Sequence, residues 1–179
     1  MPESTGIRIG GVGGQGIALA GNLLGKAAAL HDGKESVFTQ SYGPEARGGA
    51  SRADIIVSDS AIGYPFVLEP DILAVLFQEA YEKFRPQLRP GGLLIVESAL
   101  VKPRADDAGA VRLPAIEIAS GLGNKLAANI VVLGYVIGAT GVVSREAMEE
   151  TIRTSVRAAH LELDLNALDA GIAFARDAA

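Results

Sequence analysis

Cysteine and tryptophan are absent from this chain of 179 residues, and histidine occurs only twice. Without cysteine, the chain can form no disulfide and offers no thiolate for catalysis, for zinc or for an iron–sulfur cluster. The two histidines, His31 and His160, lie far apart in the sequence, so we predict no metal site on this chain. Any redox chemistry associated with the protein therefore needs a cofactor that is held elsewhere.

Charged residues are also scarce, at 21%, whereas hydrophobic residues reach 49% and the mean hydropathy is +0.27. The length suits one compact domain over residues 1–179. A net charge of −5 argues against a nucleic-acid partner. High apolar content at low charge predicts that partner chains cover part of the surface.

Long hydrophobic runs are missing as well. The longest apolar stretch, Ile130 to Ala139, is shorter than the ~20 residues that a membrane span requires. The first five residues are polar and do not resemble a signal peptide. We therefore expect a cytoplasmic protein without a membrane partner.

Glycine, in contrast, is concentrated in one informative stretch, which runs from Gly10 to Gly16 and reads GGVGGQG. It follows the short apolar run Ile7 to Ile9 and precedes a segment rich in alanine and leucine, which indicates a strand, a turn and a helix over Ile17 to Leu30. The unpaired amides and the positive dipole end of such a helix favour an anion at the turn. The candidate anion-binding residues are Gly11, Gly13, Gly14, Gln15 and Gly16.

Dinucleotide binding is one interpretation of this turn, because Gly11, Gly13 and Gly16 satisfy the G-x-G-x-x-G pattern. That interpretation also requires an acidic residue at the end of the second strand, about 20 residues further on. The predicted second strand ends at Gln40 without such an acid, and Glu35 lies before the strand. A purely structural turn, in which the glycines only let the helix pack closely on the strand, is the other interpretation.

Short apolar runs continue along the chain and alternate with helical segments, which predicts an α/β fold with a mostly parallel open sheet flanked by helices and a Rossmann-like first βαβ unit. The predicted strands after the first cover residues 36–40, 53–57, 71–77, 93–96 and 111–113. The predicted later helices cover residues 78–84, 121–139 and 166–176, and another begins at Arg145 behind a Ser144 cap.

A second dense segment, from Ser41 to Gly49, follows the second strand and reads SYGPEARGG. It should project from the same carboxyl edge of the sheet as the glycine turn, which is where ligands bind in open α/β sheets. Arg47 can hold a phosphate or carboxylate through two hydrogen bonds, and Gly48 gives the loop flexibility. Alternatively, Arg47 pairs with Glu45 and only braces the loop.

Together, the glycine turn and the loop from Gln40 to Gly49, with Gly123, Asn124, Lys125 and Asn129 further on, resemble the gamma subunit of the 2-oxoacid:ferredoxin oxidoreductases, most closely the 2-oxoglutarate enzyme. The resemblance extends from about Ile7 to about Phe174. It implies a non-redox subunit of an enzyme that converts a 2-oxoacid, coenzyme A and an oxidised acceptor into an acyl-CoA, CO₂ and the reduced acceptor.

The resemblance also implies how the cofactors are distributed. Thiamine diphosphate, magnesium and iron–sulfur clusters would belong to alpha, beta and ferredoxin-like partner subunits, and this chain would carry no catalytic residue and no cofactor of its own. It would contribute a coenzyme A contact, with phosphate at Gly13, Gly14 and Gln15, a charge-assisted bond from Arg47, and Tyr42 at the rim.

Three hypotheses remain open from the sequence: this coenzyme-binding subunit, a purely structural subunit, and an independent nucleotide-binding enzyme. Pyruvate, indolepyruvate, branched-chain and phenylglyoxylate enzymes remain alternatives to the 2-oxoglutarate enzyme.

Overall fold

A six-stranded sheet runs through the middle of the protein, whose computed structural model describes residues 4–41 and 49–178. The strands are β1 (Ser4–Gly11), β2 (Glu35–Ser41), β3 (Ser51–Ser58), β4 (Ile72–Val75), β5 (Leu93–Glu97) and β6 (Val111–Leu113). The α-helices are α1 (Ile17–Lys26), α2 (Gln78–Phe84), α3 (Ala115–Gly121), α4 (Ala128–Thr140), α5 (Arg145–Ser155) and α6 (Ala158–Asp177).

The strand order is β2-β3-β1-β4-β5-β6. From β1 outwards, β4, β5 and β6 are parallel, whereas β3 is antiparallel to both of its neighbours, β1 and β2. Consequently β2 points in the same direction as β1, and β3 alone of these six strands points the other way. The predicted α/β class, an open sheet flanked by helices, is confirmed.

The direction of β3 follows from the connections on either side of it. Residues 42–50 are too short for the crossover that joins parallel neighbours, and residues 59–71, all of which are described, contain bends but no helix. As a result β3 lies between the two strands of the first βαβ unit. In a dinucleotide-binding fold those two strands are direct neighbours.

Helices cover the two faces of the sheet unequally. Helices α1, α3, α4, α5 and α6 build the larger core on one face, whereas α2 forms a smaller core on the other. The alternation along β4 shows the division, since Ile72 and Ala74 face the large core, and Leu73 and Val75 face the small one. Within the described residues, no helix is long and apolar enough to cross a membrane.

Helices α4 and α6 touch backbone to backbone. A Cβ added at Gly134 would lie 2.2 Å from the carbonyl oxygen of Leu168, and one added at Gly171 would lie 2.1 Å from that of Val131. Both positions therefore have to be glycine if the two helices are to pack at this distance.

Arg8 is a buried cation in the centre of the sheet. Its Nε donates to Oδ1 of Asp54 on β3 at 2.6 Å, and its Nη2 donates to the carbonyl oxygen of Val67 at 2.6 Å. The connection from β3 to β4 is held to β1 by Asp71, whose Oδ2 accepts from the amide of Gly6 at 2.6 Å. The segment before β4 is thus tied to β1 through side chains as well as through the chain itself.

Two helix boundaries differ from the prediction because of local backbone geometry. The helix that begins at Ile17 is regular to Lys26 and then widens into a π-helical turn over Ala27–His31. The predicted helix over residues 121–139 is instead a 3₁₀ turn, Lys125–Ala127, followed by α4, and its start is set by Asn124, whose Oδ1 accepts from the amide of Leu126 at 3.0 Å.

The last two helices agree with the prediction at one end and extend it at the other. Ser144 caps α5 as predicted, with its Oγ accepting from the amide of Ala147 at 3.1 Å. Helix α6, however, begins at Ala158, two turns before the predicted start at Asn166.

Candidate functional site

The glycine turn lies at the carboxyl edge of the sheet, between β1 and α1. Gly14 and Gly16 have φ values of 91° and 70°, in the left-handed region that favours glycine. The amide of Gln15 closes the turn by donating to the carbonyl oxygen of Val12 at 3.2 Å. Gly16 then begins α1 without a side-chain cap, which leaves the first turn of the helix open at this edge.

Gln15 joins this turn to the end of β4. Its Oε1 accepts from the amide of Val12 at 2.9 Å, and its Nε2 donates to the carbonyl oxygen of Leu76 at 2.9 Å. Both ends of the amide are thus engaged by backbone groups, and the side chain orients the Leu76 carbonyl.

Asn129 fixes the other end of the turn. Its Nδ2 donates to the carbonyl oxygen of Gly16 at 3.1 Å, and its Oδ1 accepts from the amide of Ile130 at 3.0 Å. A Cβ on Gly16 would lie 2.4 Å from that Nδ2. The start of α1 is therefore clamped to the start of α4.

The glycines of the turn meet two different environments. A Cβ on Gly11 would lie 2.5 Å from Oε1 of Gln15, so this position is closed by the protein itself. A Cβ on Gly13 or Gly14 would meet nothing within 4 Å among the described residues. Among the described residues, no group accepts a hydrogen bond from the amides of Gly13, Gly14 and Gly16. The open side of the turn can therefore receive an anion, favoured by the dipole of α1.

Two clefts meet at this turn and share Gly14 and Leu126. The first, which we call the Gln15 cleft, has a volume of about 210 Å³ and is lined by Gly14, Gln15, Leu76, Leu100, Ile116, Lys125, Leu126 and Ala128. The second, which we call the Asp164 cleft, has a volume of about 370 Å³. Its lining comprises Gly14, Gly16, Leu19, Asn124, Leu126, Ala127, Asn129, Ile130, Ser155, Val156, Arg157, His160, Leu163 and Asp164.

Glu97 shapes the Gln15 cleft from behind. It ends β5, is buried, and its Oε2 accepts from the amides of Ala99 and Leu100 at 2.8 Å each. Its Oε1 accepts from the amide of Ile116 at 3.3 Å, at the start of α3. This carboxylate therefore positions two lining residues of the cleft, and its role is structural.

Asp164 is an acid that the sequence interpretation did not single out. It is 9% exposed, and burial raises the pKa of its carboxyl group, whereas His160 one helical turn away lowers it. Among the described residues it has no hydrogen-bond or ion-pair partner. A signal was available, since Asp164 stands between Leu161 and Leu168 on the apolar side of α6.

The predicted loop residues Tyr42, Glu45, Arg47 and Gly48 lie outside the described residues. The strand ends that flank them lie at the expected edge, because Arg52 of β3 pairs with Gly10 on one side and with Ser41 on the other. The Nε of Arg52 lies 3.4 Å from Oδ2 of Asp54. Gly11 is the last residue of β1, and Gly13, Gly14, Gln15 and Gly16 follow it in the turn between β1 and α1.

A third cleft, of about 380 Å³, lies at the opposite edge of the sheet beside the loop before β4. Tyr64 and Phe66 form an edge-to-face pair there with ring centroids 5.5 Å apart, and both are more than half exposed. This cleft is remote from the carboxyl ends of the parallel strands.

Comparison with known proteins identifies relatives along nearly the whole chain. Residues 6–174 match the family model described as pyruvate ferredoxin/flavodoxin oxidoreductase. The 2-oxoglutarate synthase subunit KorC of Methanocaldococcus jannaschii is 45% identical over 175 residues, which cover 96% of this chain and 94% of that protein.

Solved structures share the fold. The gamma subunit of a keto/oxoacid ferredoxin oxidoreductase from Geobacter sulfurreducens superposes with a TM-score of 0.85 at 40% identity, covering 97% of this chain and 99% of that one. A 2-oxoglutarate:ferredoxin oxidoreductase from Magnetococcus marinus, solved with 2-oxoglutarate, coenzyme A and succinyl-CoA bound, gives a TM-score of 0.88. At 22% identity, and with 32% of that chain covered, it shares the fold of this chain within a longer protein.

Proposed function

Because the chain belongs to the pyruvate ferredoxin/flavodoxin oxidoreductase family, we propose that it acts as the gamma subunit of a 2-oxoacid:ferredoxin oxidoreductase and forms the coenzyme A side of the active site. The proposed substrate is 2-oxoglutarate, after the KorC relatives. In the reaction, the 2-oxoacid loses CO₂, its acyl group passes to the thiol of coenzyme A, and two electrons pass to the acceptor.

The open glycine turn is the observation that carries this proposal. Gly13 and Gly14 leave space on the solvent side of the turn, and their amides donate no hydrogen bond to any described residue. A phosphate of coenzyme A there would gain backbone donors and the dipole of α1 without displacing any contact. The Gln15 cleft beside the turn offers an apolar channel for a flexible arm, with Leu76 and Leu100 in its walls.

Charge around the turn supports an anionic ligand. Lys125 lines the Gln15 cleft, and Arg157 lines the Asp164 cleft. We propose Arg47 as a third cation, because the ends of the segment that carries it meet the sheet beside Gly10. A guanidinium group binds a phosphate through paired, charge-assisted hydrogen bonds.

The remaining cofactors fit partner chains better than this one. Iron–sulfur clusters take thiolate ligands, and this chain has no cysteine. We therefore propose that thiamine diphosphate with its magnesium, and the clusters, lie in alpha, beta and ferredoxin-like subunits. The electrons then never need to enter this subunit, whose task is to bind and orient the coenzyme.

Arg47→Ala in the assembled enzyme tests the proposal. Loss of a charge-assisted bond of about 1.5–3 kcal/mol should raise KM for coenzyme A roughly ten- to a hundredfold, with the complex intact and KM for 2-oxoglutarate unchanged. Steady-state kinetics with a chemical electron acceptor, and size measurement of the complex, provide these values.

Arg89→Ala is the matched control, since Arg89 is half exposed and pairs with Asp71 at the opposite edge of the sheet. We expect its kinetics to equal those of the unmodified enzyme. An intact Arg47→Ala complex with unaltered KM for coenzyme A would contradict the proposed contact. Slower turnover at saturating concentrations of every substrate would instead assign Arg47 a bracing role.

A further inference from the structure

The Asp164 cleft contains a carboxyl group that has no hydrogen-bond or ion-pair partner among the described residues. Asp164 is more than nine-tenths buried, yet no hydrogen bond or ion pair reaches it from the described residues. Burial takes part of the hydration from this carboxyl group, and only the charge of His160 acts against that loss among the described residues. Such a group is typical of a place where something else binds.

The oxygens of Asp164 are accessible from the cleft and not sealed inside the core. Among the described residues, Ser36 alone has a fully enclosed side-chain oxygen without a hydrogen-bond partner. Asp164 does not share that situation, and it lines the cleft. A molecule in the cleft can therefore reach it. Burial also raises the pKa of this carboxyl group, because no hydrogen-bond donor among the described residues stabilises its charged form.

Aliphatic side chains form part of the cleft wall, namely Leu19 of α1, Ile130 of α4, Leu163 of α6 and Val156 between α5 and α6. Arg157 and His160 contribute cationic side chains to the same lining. Gly14 and Gly16 of the glycine turn, at the start of α1, also line the cleft. A ligand that fits these surfaces has a hydrogen-bond donor for Asp164, an apolar part for the aliphatic wall and an anion for the turn.

We propose that the Asp164 cleft binds the adenine ring of coenzyme A, with the exocyclic amino group of the base donating to the Asp164 carboxyl. This inference rests on the proposed function, and it assigns the two halves of the coenzyme to two clefts. Gly14 lines both clefts, so with the phosphates bound at the turn the nucleoside can occupy the Asp164 cleft and the pantetheine arm the Gln15 cleft. The larger cleft, about 370 Å³, receives the bulkier group.

Two half-ligands and two variants test this assignment with the full chain and with the assembled enzyme. Adenosine 3′,5′-bisphosphate represents the nucleotide half, pantetheine represents the arm, and calorimetry measures the affinity of each. Asp164→Ala should weaken binding of the bisphosphate roughly ten- to a hundredfold and leave that of pantetheine unchanged. Asp164→Asn should remain within about threefold of the unmodified protein, because an amide pairs with adenine through two hydrogen bonds.

Asp169→Asn is the control on the same helix, since Asp169 is half exposed and pairs with Arg145 away from the cleft. Its affinity for the bisphosphate should not change. Equal bisphosphate binding by Asp164→Ala and the unmodified protein would overturn the assignment. The same follows if both Asp164 variants weaken subunit association while bisphosphate binding stays constant, since a cationic side chain of a partner subunit would then fill the cleft.

The failure of this inference differs from the failure of the proposed function. If the unmodified assembly binds coenzyme A and the Asp164→Ala assembly binds it equally tightly, only the proposed adenine position is contradicted. No binding of coenzyme A, the bisphosphate or pantetheine to the unmodified assembly contradicts both.

Discussion

Two groups of glycines in this protein have opposite surroundings. Around Gly13 and Gly14, the absent side chain leaves empty space at the edge of the sheet. At Gly134 and Gly171, the space that a side chain would take is already filled by the backbone of the facing helix. The first group keeps a surface open to a ligand, and the second group allows α4 and α6 to pack closely.

The comparison shows that glycine content alone does not identify a binding site. Gly16 lies in the turn, with a φ of 70°, but its side-chain position is filled by Asn129 and not open. Replacing each glycine by alanine should therefore separate folding from binding. The changes below test that separation, from the largest expected effect on stability to the smallest.

Gly171→Ala should cause the largest loss of stability, at least about 3 kcal/mol, because its Cβ would lie 2.1 Å from the Val131 carbonyl oxygen and 2.8 Å from the Tyr135 amide nitrogen. Backbone atoms cannot rotate away, so the two helices must separate. Urea denaturation of the full chain measures the loss. Gly121→Ala, at the end of α3 with nothing within 4 Å of its Cβ, should change the stability by less than about 1 kcal/mol. Equal stability of the two variants would show that α4 and α6 do not pack this closely.

Gly16→Ala should have an intermediate effect, a loss of about 2 kcal/mol. Part of it comes from a left-handed backbone with a side chain, and part from the displaced hydrogen bond of Asn129. Combining it with Asn129→Ala should remove the steric part and retain the backbone part, so the two losses should not add. Strictly additive losses in thermal unfolding would argue against the contact between these residues.

Gly13→Ala should have the smallest effect on folding, within about 0.5 kcal/mol, because Gly13 has no positive φ and its Cβ would face open space. In the assembled enzyme, however, the methyl group would stand between the turn and a phosphate. We therefore expect KM for coenzyme A to rise about tenfold, or about 1.4 kcal/mol. A variant that is stable and has an unchanged KM would place the coenzyme elsewhere and leave the turn a packing element.

Local signals in the sequence predicted much of the fold. The strand, glycine turn and helix at the start of the chain, and the Ser144 cap of α5, each depend on residues within one or two turns of one another. The direction of β3 was not predicted, because strand polarity depends on which strands pair. Its apolar run Ala53 to Val57 reads the same in either direction, and only the short connection over residues 42–50 indicated the reversal.

The candidate site was predicted in part for the same reason. Gln15 and the glycines are neighbours in sequence, so the pattern predicted that they form one turn. Asp164 reaches that turn only because α6 packs on α4, and α4 is clamped to Gly16 through Asn129. The spacing of Asp164 from Leu161 and Leu168 places it on the apolar side of α6. The sequence does not show that this side faces the turn, because that arrangement depends on three elements.

The position of β1 in the sheet has a consequence for how the protein is made. β1 leaves the ribosome before the other five strands of the sheet, yet its two neighbours, β3 and β4, end at Ser58 and Val75. At about 5–20 residues per second, the central strand waits roughly 3 to 13 s for its second neighbour. During that interval α1, made directly after β1, is the first element available to shield Ile7 and Ile9. The order of translation therefore leaves the middle of the sheet incomplete until β4 itself has emerged.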